Sequence, residues 1–325
     1  MSQPDFLSVL AQRFCDFTAF RRVGGVDAKS QRQLLRYFDR FLHQQHFDGS
    51  WPTREVIEHY LTSTQHLHVR TRDNRLCVVR QFCRYLRLFE PQCFVPETML
   101  PRHRGPSRVA HIYTETEIQA MLQAARELPP AGSLRPITHA TLFGLLYTTG
   151  LRCGEAFALN LSDVDLDQSL LFIGKGKFAK SRWVPISGST GEVLNRYLTE
   201  RSRVAPPGPE SPFFITRTGR RLYHTNVDYA FRQVLQRCGL RGGKGCPGPR
   251  LHHLRHSFAC TRLLAWYREG KDVNALLPAL ATYLGHVNVA STQVYLQATT
   301  ELLEQANQRF VENFHQNICT KGQPA

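Results

Sequence analysis

The first ninety residues carry apolar side chains at intervals of three and four, the spacing that places them along one side of an α-helix. Turn-forming pairs such as Gly24-Gly25 and Asp48-Gly49 separate the apolar stretches. The pattern therefore predicts a compact four-helix unit in residues 1–90. Its helices are predicted over residues 5–20, around Leu34–Leu42, after Pro52-Thr53, and over residues 70–89.

The helical spacing ends after residue 90. Residues 91–111 contain four prolines and three arginines and show no apolar period. This composition is typical of an extended segment between domains. We therefore predict a linker here and a second domain over residues 112–325.

The second domain mixes helical and strand periods. Thr114–Glu117 is a capping box that starts a helix, and a strongly apolar helix runs from Pro136 to Thr149. Leu170–Ile173 and Trp183–Ile186 have strand character, and the lysine-rich connection between them predicts a β-hairpin. The expected fold is mainly α with a small antiparallel β-sheet. Further helices are predicted after Leu151, at 190–201, at 225–238 and at about 300–317.

Positive charge is spread along the whole chain. The formal net charge is +15, with 17 Lys and Arg against 10 Asp and Glu in residues 1–110 and 24 against 16 in the remainder. Both halves are therefore expected to face a polyanion, most simply DNA, because neutralising phosphates releases counterions. No basic amphipathic segment or lipidation motif favours a membrane instead. Two predicted helices each carry a basic face: Arg36, Arg40 and His43 on one, and Arg80, Arg84 and Arg87 on the other. Each face either contacts DNA or is only solvated.

The cysteine pattern indicates a reducing compartment. Nine Cys residues lack paired spacing, the N-terminus has no apolar signal segment, and no apolar run reaches 18 residues. We expect a cytoplasmic protein whose Cys residues pack as small hydrophobes. A zinc site at Cys238, Cys246, His252 and His256 is disfavoured, because gaps of eight, six and four match no common zinc pattern.

The stretch from Leu251 to Tyr295 places His, Arg and Tyr among apolar residues at helical spacing. A phenol can attack a phosphate diester if fixed cationic donors stabilise the charge that develops on the phosphorus oxygens. Gly243-Lys244 is followed by Gly rather than Ser or Thr, so it is not a phosphate-binding P-loop. Tyrosine-mediated chemistry on a phosphate diester is therefore the working hypothesis.

Five motifs in a fixed order carry a family resemblance. With them the chain resembles the tyrosine recombinases, or phage-integrase family, weakly from about residue 30 and strongly from about 145 to 315. The resemblance implies a SAM-like, DNA-clamping core-binding domain in residues 1–90 and an α+β catalytic domain after it. The motifs are Thr149–Glu155, the lysine hairpin ending in Arg182–Pro185, His252–His256, Leu284–His286 and Thr292–Tyr295.

The resemblance also implies a catalytic set. Arg152 and Arg255 would bind the scissile phosphate, and Glu155 would support Arg152. The alternative for Arg152, a helix-surface salt bridge to Glu155, is compatible with that role. Tyr295 would attack to give a 3′-phosphotyrosine and a free 5′-hydroxyl, without metal, ATP or other cofactor. His252 would take part in proton transfer and His286 would hydrogen-bond the phosphate, whereas the motif assigns no catalytic role to His253 and His256.

A hairpin lysine would protonate the leaving 5′-oxygen. Counting back without gaps from Arg182 places the catalytic lysine at Lys177, whereas the Gly174-Lys175-Gly176 sequence, which is common in the family, would select Lys175. The strand end is the firmer anchor, so Lys177 is preferred and Lys175 stays the alternative.

The implied partners are duplex DNA with specific recombination sites and further copies of the chain or related recombinases in a DNA-bound tetramer. The apolar face of the helix at 300–317 would either pack on its own domain or, as the resemblance implies, dock into a neighbouring subunit. Few residues precede the first predicted helix, which favours a simple or transposon-type recombinase without an arm-binding domain. The alternatives are a catalytically inactive DNA-binding regulator and a type IB topoisomerase. Integration, excision, resolution and transposition stay open.

Overall fold

The computed structural model describes residues 5–24, 29–97, 110–174, 181–208, 210–241, 248–286, 288, 290–293, 295 and 304. The chain divides into two compact units, Met1–Ser107 and Arg108–Ala325. Among the described residues, no helix has the length and apolar character that a membrane crossing requires.

The first unit is a four-helix fold with an aromatic core. Phe14 packs against Phe82 with ring centroids 4.4 Å apart, and Phe38 contacts Tyr60 edge-on at 4.8 Å. Such large apolar side chains dominate the burial that stabilises a unit of this size. The four predicted helices are confirmed as α1 (Ala11–Val23), α2 (Lys29–Gln44), α3 (Arg54–Ser63) and α4 (Val69–Leu86).

The first helix begins later than its apolar pattern predicts. A helix was expected from residue 5, but α1 starts at Ala11. The buried carboxylate of Asp39 accepts hydrogen bonds from the backbone N–H of Leu7 at 2.8 Å and from the N–H and hydroxyl of Ser8 at 2.9 and 2.7 Å. These contacts hold the preceding residues as a loop, because the carboxylate satisfies N–H groups near the start of the helix.

The second unit packs its helices around the apolar α6 and a small sheet. Ser133 caps α6, which therefore begins two residues before the predicted start at Pro136. The bounds are α5 (Glu115–Arg126), α6 (Leu134–Thr149), α7 (Cys153–Ala158), α8 (Gly188–Ser202), α9 (His224–Arg237), α10 (His253–Arg268), α11 (Val273–Leu284) and α12 (Ala290–Gln293).

The sheet is antiparallel and has three strands in the order β1-β2-β3. They span Val164–Asp165, Leu170–Ile173 and Arg182–Pro185, and Leu171 pairs with Val184. The predicted hairpin strands are thus present, and a third strand joins them. This first strand has only two residues, too few for an alternating pattern to be recognised in the sequence. The fold class predicted from the sequence is confirmed.

Candidate active site

The site is built around the left-handed turn that ends α6. Gly150 has φ +61°, and a Cβ added there would lie 2.5 Å from Phe258 of α10 and 2.9 Å from Leu284 of α11. Only glycine fits both the conformation and the close packing. The turn therefore brings three helices together and delivers Arg152, the residue that precedes α7, to their meeting point.

Three arginines converge on the last turn of α11. Arg182 Nε donates to the carbonyl of Tyr283, and Arg255 Nη2 to that of Leu284, each at 2.8 Å. Arg152 Nη2 donates to the next carbonyl, that of Gly285, at 2.7 Å. Carbonyls at a helix C-terminus lack intrahelical partners and carry partial negative charge, so they attract cations. The helix end thus fixes three guanidinium groups side by side.

Glu155 joins two of these arginines. Its buried carboxylate accepts from the backbone N–H and Nη1 of Arg152 at 3.0 and 2.8 Å. It also accepts from Nη1 and Nη2 of Arg182 at 3.1 and 2.9 Å. Burial raises the pKa of Glu155, but the hydrogen bonds from Arg182 and Arg152 and the charge of Arg182 outweigh it, and the pKa is lowered overall. The ion pair expected between Arg152 and Glu155 is present, with a buried carboxylate rather than a surface one.

Arg255 is the most enclosed of the three arginines, at 1% exposure. Its Nη1 donates to the carbonyl of Gly150 at 2.7 Å, so it ties the α6 turn to the end of α11. Burial and the charge of Arg152 lower the pKa of Arg255, whereas its interactions with Tyr295 and Glu155 act in the opposite direction. A guanidinium in a protein stays protonated despite these effects on its pKa. The site thus holds a fixed buried positive charge next to the tyrosine.

His286 follows Gly285, whose φ of +68° ends α11. Its Nδ1 lies 2.8 Å from the hydroxyl of Thr292, a fully buried residue. Burial and then the charges of Arg255 and Arg152 lower the pKa of His286 to about 4, so the ring is neutral at pH 7. If the Thr292 hydroxyl donates to Nδ1, the proton resides on Nε2, which is then free to act as a hydrogen-bond donor.

Tyr295 is buried at 3% exposure and lies between two histidine rings. The ring of His286 is nearly parallel to it at a centroid distance of 6.0 Å. His256 meets it edge-on at 5.1 Å and also contacts His252 at 4.9 Å. A ring contact with the tyrosine was not expected of His256. The one available signal was its spacing of four residues from His252, which places both histidines on one side of a helix.

His252 lies at the N-cap position of α10 and is solvent-accessible, whereas His256 is half-buried. Partial burial of the ring and the charges of Arg255, His253 and Arg152 lower the pKa of His252. Burial, His252 and Arg255 lower the pKa of His256 to about 4. Both rings therefore favour the neutral form near the tyrosine, and a neutral imidazole can accept a proton.

The structure brings Arg152, His252, Arg255, His286 and Tyr295 together. Lys177 and its alternative Lys175 lie outside the described residues, as do Cys246 and nearly all of the predicted helix at 300–317. Within the part of the chain that is described, no three His, Cys, Asp or Glu side chains are arranged to hold a metal ion. Arg182 and Thr292 belong to the motifs found in the sequence, but the sequence did not predict the supporting contact that either one makes. Nothing local in the sequence points to the side chain that either one contacts.

Comparisons with known proteins place this site in a family. The model of the phage integrase family matches residues 112–301. The integrase/recombinase y4rE of Sinorhizobium fredii is 36% identical over 307 residues, which cover 94% of this chain and 96% of that protein. The tyrosine recombinase XerC of Chlamydia muridarum is 30% identical over 257 residues, covering 78% and 75% of the two chains.

A solved structure has the same fold. The Tn1549 transposon integrase in complex with transposon right end DNA superposes with a TM-score of 0.63 at 16% identity, covering 92% of this chain and 99% of that one. The family match covers more than half of the chain, and y4rE is similar along nearly all of it. The chain therefore belongs to the phage integrase family, the family of the tyrosine recombinases.

Proposed function

We propose that the protein is a site-specific recombinase that cuts and rejoins duplex DNA through a 3′-phosphotyrosine on Tyr295. One observation carries the proposal: backbone carbonyls at the end of α11 fix the guanidinium groups of Arg152 and Arg255, and Arg255 lies next to the tyrosine. The XerC relative and the transposon integrase bound to DNA support the same activity. With DNA as the substrate, we expect the protein at the nucleoid in the cytoplasm.

The two arginines would bind the non-bridging oxygens of the scissile phosphate. In the described contacts each guanidinium directs one hydrogen of Nη1 and one of Nη2 to the protein. Each has five N–H donors, so donors remain for a phosphate. Because the protein already holds these groups in place, little reorganisation is needed when charge builds up in the transition state.

Cleavage forms a bond between Tyr295 Oη and phosphorus and breaks the bond from phosphorus to the 5′-oxygen. The phenol of Tyr295 must lose its proton, and we assign His252 as the group that accepts this proton. The ring of His256 lies between the rings of His252 and Tyr295. Neutral His286 would donate Nε2–H to a phosphate oxygen. Attack by a 5′-hydroxyl on the phosphotyrosine reverses the chemistry and rejoins the strand, so the step consumes neither ATP nor metal.

The leaving 5′-oxygen needs a proton, which we assign to Lys177. The assignment rests on its distance in sequence from the strand residues Arg182–Pro185. Single-turnover cleavage by separate Lys177→Ala and Lys175→Ala proteins tests it. Near-normal cleavage without Lys177, together with a large loss without Lys175, would transfer the role to Lys175.

A nicked suicide substrate tests the main proposal, because loss of the short strand traps the covalent complex. We expect the wild-type protein to form such a complex on DNA from the flanks of its own gene, and Tyr295→Phe to bind that DNA without forming it. Binding without any covalent complex would identify a regulator. Relaxation of plasmids of unrelated sequence would identify a topoisomerase.

We further propose that four copies assemble on paired sites through residues 300–317. A mainly apolar groove of about 650 Å³ lies along the side of α10, between the C-terminal ends of α6 and α11, and is lined by Phe258, Leu280 and Tyr283 among others. Thirty residues follow Tyr295, and those at 302, 303, 306, 310, 311 and 314 are apolar at helical spacing. We assign the groove to this segment of a neighbouring copy.

Deletion after Thr299 tests the assembly. We expect it to weaken assembly on paired sites by at least about tenfold while binding to a single site changes little, because subunit docking adds effective concentration only when two subunits are present. Equal losses on single and paired sites would instead show that the segment packs on its own subunit.

A further inference from the structure

Arg182 is the third arginine at the end of α11, and the proposed chemistry gives it no role. It is the first residue of β3, and its side chain is 13% exposed. Nη1 and Nη2 donate to the two oxygens of Glu155, while Nε donates to the carbonyl of Tyr283. The guanidinium also lies against Gly285, where an added Cβ would be 2.6 Å from Nη1. Arg182 thus braces both the carboxylate and the helix end.

Glu155 and Gly285 are the two groups that hold Arg152. Nη1 of Arg152 donates to Glu155, and Nη2 donates to the carbonyl of Gly285. Arg182 donates to both oxygens of Glu155, sharing Oε1 with Nη1 of Arg152, and its guanidinium lies against Gly285. A planar guanidinium fork can hold a carboxylate through two bonds, which an ammonium cannot do. The geometry therefore links the position of Arg152 to the presence of a fork at residue 182.

We propose that Arg182 is a positioning residue, which orients Arg152 and the turn before His286 through Glu155 and Tyr283–Gly285. The inference rests on the proposed recombinase function. Arg182 donates its described hydrogen bonds to protein groups, so its removal should affect the chemical step more than DNA affinity. Displacement of a catalytic group by about 1 Å can lower a rate by about 100-fold.

Single-turnover cleavage of a suicide substrate at saturating protein tests this role. We expect Arg182→Gln to lower the cleavage rate by about 100-fold and half-site affinity by less than about threefold. Arg182→Lys should recover less than about a tenth of the lost rate, because it restores charge without the fork. Arg203→Gln is the matched control, since Arg203 pairs with Glu200 on an exposed helix end and should cleave normally.

A double-mutant cycle tests whether Arg182 acts through Glu155. If it does, the Arg182→Gln/Glu155→Gln protein should lose far less than the product of the two single losses, because residues in one network are not additive. A loss in the double variant that equals the product of the two single losses would overturn the proposal. Thermal unfolding of each variant distinguishes a loss of folding from a displacement of Arg152 in a folded protein. If the glutamine variant does not fold, the lysine variant is used for the test.

A substrate with sulfur in place of the bridging 5′-oxygen completes the design. A thiolate leaves without protonation, so this substrate restores cleavage only where the general acid has been lost. We expect no recovery with Arg182→Gln, whereas recovery to the wild-type rate would show that Arg182 acts through the lysine hairpin and would overturn the proposal. If the wild-type protein forms no covalent complex, the proposed function fails; if wild type and Arg182→Gln cleave equally, this inference alone fails.

Discussion

Exposed arginines of the first unit and the buried Arg255 of the second unit are held in opposite ways. On the helices of the first unit, Arg40, Arg84 and Arg87 are exposed on the surface. In the second unit, Arg255 is buried at 1% exposure and donates to two backbone carbonyls. The same side chain is thus a solvated charge in one unit and a fixed part of the architecture in the other.

This contrast separates affinity from chemistry. An exposed arginine attracts DNA phosphates by releasing counterions, a contribution that depends on salt and tolerates several geometries. A buried arginine with its donors fixed can stabilise one charge distribution, because no reorganisation is needed when that charge forms. We therefore expect the first unit to contribute mainly binding and the second unit to contribute catalysis.

The sharpest test of the contrast replaces Arg255 by lysine. We expect cleavage at saturating protein to fall by about 10²- to 10³-fold, since a fixed transition-state donor is lost. Lysine keeps the charge but cannot reach both the Gly150 and Leu284 carbonyls with a planar fork. Arg84→Lys on the first unit is the control and should leave the saturated rate unchanged. Comparable cleavage rates for Arg255→Lys and Arg84→Lys would contradict the assignment of catalysis to the second unit.

Acid should destabilise the second unit through its buried histidines. His139 of α6 is 4% exposed, and burial lowers its pKa to about 4. The unfolded chain, with an ordinary histidine pKa near 6.5, binds a proton first as pH falls. Stability is therefore complete above about pH 6.5 and declines between pH 6.5 and 4, by about 2–3 kcal/mol for this group.

Urea unfolding of the full chain at pH 7.0 and 4.5, followed by proteolysis of each unit, measures this loss. His139→Leu is the control and should make the second unit less sensitive to acid, because the titrating group is absent. An unchanged pH dependence in that variant would assign the acid sensitivity to other groups.

The exposed Arg84 of α4 and Arg87, the residue that follows this helix, should control affinity alone. For Arg84→Gln combined with Arg87→Gln we expect about tenfold weaker DNA binding and a decrease of about two in the slope of log affinity against log salt. The saturated cleavage rate should not change. The salt dependence of binding, measured with the wild type and both single variants, provides the comparison. An unaltered slope would mean that this helix face is only solvated.

The smallest effect is expected at Thr292. Thr292→Val removes the hydroxyl that contacts His286 Nδ1 while keeping a similar shape. Loss of one hydrogen bond should lower cleavage by about three- to tenfold, because the histidine tautomer is then less fixed. Thr292→Ser should restore most of the rate, since it keeps the hydroxyl. Equal rates for the valine and serine variants would exclude a role for this contact.

The two units also differ in how far sequence alone predicts them. Helical periods found all four helices of the first unit, yet α1 begins six residues late because of Asp39, 31 positions away from Ser8. Arg36, expected on an open basic face, forms an ion pair with Asp5. The spacing of apolar residues indicates which side of a helix is buried. It does not indicate which distant side chain binds the backbone N–H groups at the start of that helix.

By itself the sequence determined the fold class and the family, because periodic burial and short local motifs carry that information. It also named Arg152, His252, Arg255, His286 and Tyr295, which the structure brings together in one place. Only the tertiary structure decided how these groups are held, with successive carbonyls of α11 each bound to a different arginine. Arg182 meets Glu155 across 27 positions, and the partner of a buried charge is set by packing rather than by spacing.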